Sequence, residues 1–357
     1  MEENKQHKTA LPETEPIPSA QAPEALLDIR GLRVEYHTDE DVVYAVNGLD
    51  LTIGKGESLG LVGETGAGKT TTALSVLRLI ADPPGKIMGG EIWFEGEDML
   101  QAKPARLREI RGSKISVIFQ DPMTSLNPVY SVGDQIAEVL HQHEKCSKEE
   151  GRRKAGDMLE MVGIPRARYD EYPHQFSGGM KQRVVIAMSI ACSPELILAD
   201  EPTTALDVTI QAQVLELMNE LKEKLRTSLL LITHDLGVVA QVCDRVAIMY
   251  AGEIVESGTI AEVFDHPHHP YTIGLFGSIP SLDETAEKLK PIQGQMPDPT
   301  ELPEGCAFAP RCPYATGACR TRKPEMTGVG GTQMVRCLAH QGVFESPELM
   351  EEVRHGR

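Results

Sequence analysis

The sequence lacks an apolar run long enough to cross a membrane. A membrane-spanning helix needs roughly 18 or more consecutive uncharged apolar residues. The best candidate, VVIAMSIACSPELILA, is interrupted by Ser193, Pro194 and Glu195. The start of the chain also lacks the positive charge followed by apolar residues that marks a secretory signal. We therefore expect a cytoplasmic protein, for which any membrane role comes through partner subunits.

An excess of positive charge is absent as well. Lys and Arg number 35 against 53 Asp and Glu, which gives a net charge of -18. A nucleic-acid-binding surface needs basic residues to pair with phosphates, so this balance argues against a nucleic-acid partner. A small basic groove for a nucleotide is still compatible with it. The length of 357 residues suits one large domain with an appendage, or two modest domains.

Composition divides the chain into three parts. Residues 1–24 are rich in Pro and Glu and cannot build a core, so we predict a disordered arm. Residues 25–282 carry alternating strand and helix patterns, which predict a nucleotide-binding domain. Residues 283–357 are rich in Pro, Gly and Cys and show little periodicity. They are predicted to form a small separate C-terminal module.

Two kinds of strand pattern occur in the central part. LLDIRGLRVEY and VYAVNGLDLTI alternate apolar and polar residues, as half-buried antiparallel strands do. SLGLVG, ISVIFQ, LILAD and SLLLIT are continuous apolar runs, which suit a parallel sheet covered on both faces. Helical patterns such as TIQAQVLELMNELKEKL lie between them, and residues 121–190 are mostly helical in pattern. Together they predict an α/β core with an antiparallel β subdomain and a helical subdomain.

The stretch GETGAGKT, residues 63–70, has the phosphate-loop pattern G-x-x-x-x-G-K-[ST] between an apolar strand and a helical pattern. Its glycines let backbone N–H groups converge on phosphate oxygens, and the helix start adds partial positive charge. Lys69 is expected at the β- and γ-phosphates and Thr70 at Mg²⁺. A glycine-rich turn that caps an ordinary helix is the alternative. The candidate ATP-binding residues here are Gly63, Glu64, Thr65, Gly66, Ala67, Gly68, Lys69, Thr70 and Thr71.

A second chemical signal is the apolar run LILADEP, which ends in two carboxylates. Asp200 is expected to hold Mg²⁺, and Glu201 is expected to polarise the attacking water. An ordinary exit from strand to loop would carry the same residues. The phosphate-loop pattern upstream favours the functional interpretation.

The stretch QFSGGMKQR, residues 175–183, begins a predicted helix whose N-terminus is a second place for an anion. Here the chain resembles the ATP-binding subunits of ABC transporters, whose signature usually reads LSGGQ. Phe176 and Met180 depart from that signature. Other elements of the family follow in the expected order: Tyr36 as the adenine-stacking aromatic, with Tyr44 as an alternative, Gln120 in the Q-loop, Thr204 to Asp207 in the D-loop and His234 as the switch histidine.

The resemblance implies an ABC-type P-loop fold and a mechanism. Two such domains dimerise head to tail around two ATP molecules, and hydrolysis reopens the dimer. The implied catalytic residues are Glu201, His234 and Gln120. Mg²⁺ would be held by Thr70, Gln120 and Asp200. The dimer partner's nucleotide would be contacted by Ser177, Gly178, Gly179 and Asp207.

The sequence stretches between the motifs indicate which group of ABC transporters the chain resembles. FQDPMTSLNPV and HPHHPYTIGLFGSIP resemble ATPase subunits of dipeptide, oligopeptide and nickel importers. The resemblance implies a second ATPase subunit, two membrane-spanning permease subunits and an extracytoplasmic substrate-binding protein as partners. It also implies a peripheral location at the cytoplasmic face of the membrane. A nickel or other small-solute importer ATPase, a soluble ABC ATPase and an iron–sulfur regulatory protein are the alternatives to a peptide importer.

Four cysteines lie near the C-terminus with the spacing C-x5-C-x6-C-x17-C: Cys306, Cys312, Cys319 and Cys337. Disulfides are disfavoured in a reducing compartment. A structural zinc site usually has paired C-x2-4-C hairpins, which this region lacks. The region resembles the cysteine module of peptide-importer ATPases, in which some members bind a [4Fe–4S] cluster, so such a cluster is expected. Zn²⁺ and unligated thiols are the alternatives. The remaining cysteines, Cys146, Cys192 and Cys243, are expected to be core or surface thiols.

Overall fold

A computed structural model describes residues 25–204, 206–278 and 291–355. The predicted arm, residues 1–24, and the predicted boundary between residues 282 and 283 lie outside these ranges. No helix within them is both long enough and apolar enough to span a membrane.

Twelve strands are described: β1 (Ala25–His37), β2 (Val42–Gly54), β3 (Ser58–Val62), β4 (Gly85–Phe94), β5 (Glu97–Asp98), β6 (Ile115–Ile118), β7 (Leu196–Asp200), β8 (Ser228–Thr233), β9 (Arg245–Tyr250), β10 (Glu253–Thr259), β11 (Thr327–Gly330) and β12 (Gln333–Val335). The described helices are α1 (Lys69–Val76), α2 (Pro104–Ile110), α3 (Pro122–Ser125), α4 (Val132–His143), α5 (Lys148–Met161), α6 (Gly178–Ile190), α7 (Val208–Leu225), α8 (Leu236–Val242), α9 (Ile260–Asp265), α10 (Pro270–Gly277), α11 (Gly317–Thr321) and α12 (Pro347–His355). Two 3₁₀ turns, Arg166–Arg168 and Pro173–Gln175, precede α6.

The first two strands form an antiparallel sheet with β4 and β5, in the order β2-β1-β4-β5. Ile29 of β1 pairs with Leu51 of β2 on one side and with Ile92 of β4 on the other. All three side chains are buried in a core that also includes α1. The antiparallel arrangement predicted from the alternating pattern is therefore confirmed for β1 and β2.

The larger sheet has eight strands in the order β11-β12-β10-β9-β3-β8-β7-β6. The strands from β9 to β6 pair in parallel. In β7, Leu196 and Leu198 pack toward the antiparallel sheet, whereas Ile197 and Ala199 pack toward the helices on the other face. Both faces are thus covered, which explains the continuous apolar runs in the sequence. The carboxyl ends of β3, β7 and β8 lead to the residues predicted to bind and hydrolyse ATP.

Between β6 and β7 the described residues form helices joined by loops and contain no strand, which agrees with the mostly helical pattern of the sequence. Helices α4 and α5 begin at serine N-caps. The Ser131 hydroxyl accepts the N–H of Asp134, and the Ser147 hydroxyl accepts the N–H of Glu150. The apolar faces of α4, α5 and α6 join the same core as α7, so this subdomain packs on the rest of the domain through a shared core.

The C-terminal region differs from the prediction of a separate module. Val335 of β12 pairs with Glu256 of β10, so residues after 291 extend the large sheet. Phe308 is 2% exposed and belongs to the main core. The sequence pattern missed this because β11 and β12 have only four and three residues, too few to show a period. The domain boundary itself stays a prediction.

Candidate nucleotide-binding and hydrolysis site

The loop between β3 and α1 requires glycine at both ends. A Cβ on Gly63 would lie 2.2 Å from the carbonyl oxygen of Met249, and one on Gly68 would lie 2.3 Å from that of Ala45. Gly68 also has a φ of +102°, which other residues rarely adopt. The loop is therefore pressed against the neighbouring strands at residues 63 and 68. The backbone of the loop therefore requires glycine at these positions. This requirement fits a phosphate-binding loop better than a turn that only caps a helix.

The side chain of Lys69 is hydrogen-bonded to the backbone of its own loop. Its Nζ donates to the carbonyl oxygens of Gly63 at 2.7 Å and Glu64 at 3.0 Å. The residue is 6% exposed. Burial lowers the pKa of Lys69, and the carboxylates of Glu201 and Asp200 oppose that effect. A buried amine held by backbone carbonyl oxygens is well placed to exchange them for phosphate oxygens.

Two side chains whose oxygen atoms could bind a metal ion, Thr70 and Asp200, lie at the carboxyl end of β7. Asp200 is 7% exposed, and Thr70 in the first turn of α1 is close enough to influence its charge. Burial raises the pKa of Asp200, while the Thr70 hydroxyl and the charge of Lys69 oppose the rise. A neighbouring hydroxyl and carboxylate fit Mg²⁺, which takes oxygen ligands. The third predicted ligand, Gln120, does not join this pair but bonds to Glu201 instead.

Glu201 lies at the centre of a hydrogen-bonded group. Its Oε2 accepts the Gln120 amide at 3.0 Å and the Thr204 hydroxyl at 2.9 Å, and its Oε1 lies 3.1 Å from His234 Nδ1. The structure thus brings together the three residues predicted to act in catalysis. Thr204 was expected only as part of the D-loop, and the sequence did not indicate its direct contact with Glu201.

The backbone and charge of Glu201 are both unusual. Its φ is +46°, a left-handed conformation that costs a non-glycine residue about 1–3 kcal/mol. A backbone hydrogen bond of 2.8 Å from its N–H to Ile232 holds it there. Burial favours the neutral acid, but hydrogen bonds from His234 and Thr204 outweigh it and lower the pKa of Glu201. The side chain is therefore a carboxylate at neutral pH.

The predicted signature forms the start of α6. Ser177 is its N-cap, and within the described residues its side chain makes no capping hydrogen bond. A Cβ on Gly179 would lie 2.4 Å from Ile210 Cγ2 of α7, so this position needs glycine. Asp207 caps α7 by accepting the N–H of Ile210 at 3.0 Å. The start of the signature helix therefore packs on the start of α7, which follows the D-loop directly.

Arg168 contacts both residues that depart from the usual signature. Its guanidinium lies 4.2 Å above the ring of Phe176, which is 5% exposed, and its Nη1 lies 3.3 Å from Met180 Sδ. A cation over an aromatic face is stabilised by the ring quadrupole. Sequence reasoning missed Arg168 because it lies outside the motif.

The two candidate adenine partners differ in surroundings. The Tyr36 hydroxyl lies 3.2 Å from Thr71 Oγ1, which places the residue beside α1. Tyr44 is 38% exposed, and its backbone N–H donates to Pro299 at 2.8 Å. Only Tyr36 has its side chain bonded to the helix that follows the phosphate loop.

All four C-terminal cysteines line one cavity of about 20 Å³, together with Phe308 and other apolar side chains. That volume holds about one water molecule. Burial raises the pKa of Cys306 to about 11 and that of Cys312 to about 12, although backbone N–H groups point at both sulfurs. In the described ranges, no three His, Cys, Asp or Glu side chains are arranged to hold a metal ion. The predicted gathering of the thiols is thus found, without a metal-ligand geometry.

Two contacts to the phosphate loop come from distant parts of the chain. The Tyr271 hydroxyl accepts the N–H of Glu64 at 3.1 Å, and Arg311 forms an ion pair with the Glu64 carboxylate. Neither was expected. The only sequence signal for Arg311 is its position immediately before Cys312.

Comparison with known proteins decides the family. Residues 46–204 match the family described as "ABC transporter", and residues 255–319 match "Oligopeptide/dipeptide transporter, C-terminal region". The oligopeptide transport ATP-binding protein OppD of Bacillus subtilis (strain 168) is 51% identical over 332 residues, which are 91% of this chain and 93% of that protein. The chain belongs to the ATP-binding subunits of ABC transporters.

Further relatives of this ABC transporter ATPase agree. The dipeptide transport ATP-binding protein DppD of the same organism is 48% identical, over 88% of this chain and 94% of its own. A solved dimeric structure of the ATP-binding cassette MJ0796 bound to ADP and Pi has a TM-score of 0.59 and 28% identity, covering 66% of this chain and 98% of that one. The predicted P-loop fold and ATP hydrolysis activity are confirmed by these comparisons.

Proposed function

We propose that this ABC transporter ATPase powers the import of di- and oligopeptides. The observation that carries the proposal is the match of residues 255–319 to the C-terminal region of oligopeptide and dipeptide transporters. That region is not a detached tail here, since it packs on the main core through Phe308 and contacts the phosphate loop. Its presence favours a peptide importer over a general ABC ATPase.

ATP binding follows from the loop geometry. The backbone of residues 63–68 and the start of α1 would surround the phosphates, with Lys69 at the β- and γ-phosphates. Tyr36 would stack on the adenine, because its side chain lies beside α1. Thr70 and Asp200 would hold Mg²⁺, which supplies charge neutralisation at the phosphates. Gln120 would reach the same ion after leaving Glu201.

Hydrolysis would depend on Glu201. Its carboxylate is ionised and would orient the attacking water and accept its proton. His234 and Gln120 hold the two carboxylate oxygens, so they fix its direction and would sense loss of the γ-phosphate. His234 is 62% exposed at its side chain, which leaves it accessible to the γ-phosphate.

A second ATPase subunit would complete each site. Ser177, Gly178 and Gly179 lie at an α-helix N-terminus, where N–H groups and the helix dipole favour an anion. In the head-to-tail dimer implied by the resemblance to ABC transporters, they would contact ATP held by the partner. Asp207, which caps α7 beside them, would lie at the same interface.

The membrane partners would dock on the helical subdomain, proposed as residues 121–190. Val129 is 72% exposed, Tyr130 55% and Tyr172 42%. Exposed apolar side chains on adjoining loops are typical of a protein interface. Two permease subunits would bind there, with an extracytoplasmic substrate-binding protein on the far side, and the ATPase would lie at the cytoplasmic face of the membrane.

Co-purification tests this assignment. A tagged chain purified from detergent-solubilised membranes of its own cells should bring with it two membrane-spanning subunits and a second ATPase. The complex should hydrolyse ATP faster when peptide-loaded binding protein is added. Stimulation by nickel and not by peptides would favour the small-solute alternative, and recovery without membrane subunits would favour a soluble ABC ATPase.

The cysteine cavity is proposed to hold a [4Fe–4S] cluster, for which it would have to widen beyond its volume of about 20 Å³. Four thiols around one cavity match the usual ligand number, and backbone N–H groups aimed at cysteine sulfurs favour charged sulfur. A cluster or metal ion would join β12, α11 and the turn between Cys306 and Cys312. Such a role would be structural or regulatory, since these residues are separate from Glu201.

Metal analysis of anaerobically purified protein tests this proposal. We expect about four irons and four sulfides per chain, with visible absorption, and loss of both in Cys319→Ser. Cys243→Ser is the matched control, because Cys243 is also buried but lies at the end of α8. One zinc without iron would show that the cysteines form a structural zinc site. Absence of both metals would show that the four thiols are unligated.

A further inference from the structure

Arg311 is a buried cation between the C-terminal region and the phosphate loop. Its side chain is only 6% exposed, and its Nη1 lies 3.0 Å from each carboxylate oxygen of Glu64. An arginine so far from water needs its donors paired, so this contact strongly constrains where both side chains lie. Glu64 is the second residue of the phosphate loop.

The same guanidinium contacts two other parts of the molecule. Its Nε donates to the carbonyl of Gln293 at 3.1 Å, and its Nη1 lies 3.4 Å from the hydroxyl of Tyr250 at the end of β9. Arg311 therefore joins the phosphate loop, the segment 291–302 and the large sheet. Its planar, rigid set of donors suits such a junction better than a lysine would.

The segment 291–302 also touches the nucleotide site directly. The carbonyl of Pro299 accepts the N–H of Tyr44 at 2.8 Å. The methyl group of Met296 lies 3.2 Å from the position that a Cβ on Gly66 would take. The C-terminal region thus contacts the phosphate loop at Glu64 and again at Gly66.

Arg311 is mechanically linked to the cysteines. The backbone N–H groups of Arg311 and Cys312 both donate to the carbonyl of Phe308 at 3.0 Å. Residues 308–312 therefore form one tight turn, anchored by Phe308 in the main core. A change in the position of Cys312 would turn the neighbouring guanidinium with it.

We propose that Arg311 is a positioning residue for ATP binding, which holds the phosphate loop through Glu64 and makes ATP affinity depend on the turn between Cys306 and Cys312. This rests on the proposed nucleotide site. The residue does not touch the reacting atoms, so its effect should fall on nucleotide binding and not on the chemical step.

The test measures Mg-ATP binding and steady-state ATPase on the purified full-length chain and complex. Arg311→Gln and Glu64→Gln should each raise the Kd for ATP about tenfold, and the double variant should be no weaker than either single one. KM for ATP should rise with little change in kcat. Unchanged Kd in both single variants, additive effects, or a loss confined to kcat would overturn the proposal.

Arg336→Gln is the matched control. Arg336 also joins the C-terminal region to the sheet, by bonds from Nε to Ile254 and Nη1 to Pro324, but it does not contact the phosphate loop. Equal loss of ATP affinity in this control would reduce Arg311 to a structural residue.

If Arg311→Gln does not fold, Glu64→Gln and Arg311→Lys provide the test. Glu64→Gln must still weaken ATP binding, and the Kd for ATP of Arg311→Lys must lie between those of Glu64→Gln and the unaltered chain. A protein that binds no ATP before any substitution would refute the proposed function instead.

The link to the cysteines has its own readout. Cys312→Ser should raise the Kd for ATP in the unaltered chain but not in the Arg311→Gln background, because the guanidinium that transmits the change is then gone. An equal shift in both backgrounds, or a shift in neither, would overturn the link.

Discussion

Glu201→Gln should bind ATP and hydrolyse it at least about 100-fold more slowly than the unaltered subunit, since removing a general base commonly costs 10²- to 10⁴-fold. The amide keeps the size of the side chain and can still accept hydrogen bonds from Thr204 and Gln120. It can no longer carry the negative charge that His234 and Thr204 stabilise by lowering the pKa of Glu201. Phosphate release by the assembled complex measures the rate.

Glu195→Gln is the control for this substitution. Glu195 immediately precedes β7 at its amino end, whereas Glu201 follows its carboxyl end. The Glu195 carboxylate pairs with Lys114 at 3.1 Å. The same chemical change there should leave turnover near that of the unaltered protein. Phosphate release above half the normal rate in Glu201→Gln would show that another group activates the water. A slow variant that also fails to bind ATP would point to misfolding.

Lys69→Ala should weaken ATP binding by roughly 100-fold, because the variant loses charge-assisted hydrogen bonds to two phosphates in a buried site. Binding is measured by titration with a fluorescent ATP analogue. The rise in melting temperature that ATP causes in the unaltered chain should disappear as well, since that rise depends on affinity for the folded state.

Lys222→Ala is the matched control for the lysine. Lys222 donates from Nζ to Ser58 Oγ at 3.1 Å, at the opposite end of the strand that leads into the phosphate loop. Its loss removes a partly buried amine of α7 from contact with that strand, without touching nucleotide. Retention of ATP affinity in Lys69→Ala, or an equal loss in Lys222→Ala, would contradict the role given to Lys69.

The parts of the site that a few consecutive residues determine could be predicted from the sequence. The strand, loop and helix around residues 63–70 follow from an apolar run, glycines and a helical pattern that are adjacent in the chain. The meeting of Gln120, Glu201 and His234 could be expected only from the resemblance to ABC transporters. No local pattern shows that three loops after three different strands converge.

Contacts between distant residues were not predictable. Glu64 and Arg311 are 247 positions apart, and neither residue type is unusual at its place in the sequence. Arg168, which packs on both non-standard residues of the signature, is only 12 positions from Met180, but it lies outside the motif and was not expected either. Strands β11 and β12 were missed for another reason: β12 is stabilised by pairing with β10 and β11 by pairing with β12, and neither has a hydrophobic period of its own.

Peptide-dependent ATP hydrolysis in liposomes would distinguish a peptide-import ATPase from other ABC ATPases. The complex purified through this chain is reconstituted and given its substrate-binding protein, with and without di- and oligopeptides, and phosphate release is followed. ATPase activity should rise several-fold with peptides, and Glu201→Gln should abolish that rise. Activity that is indifferent to peptides in a complex containing both permease subunits would contradict a peptide-import function for this subunit.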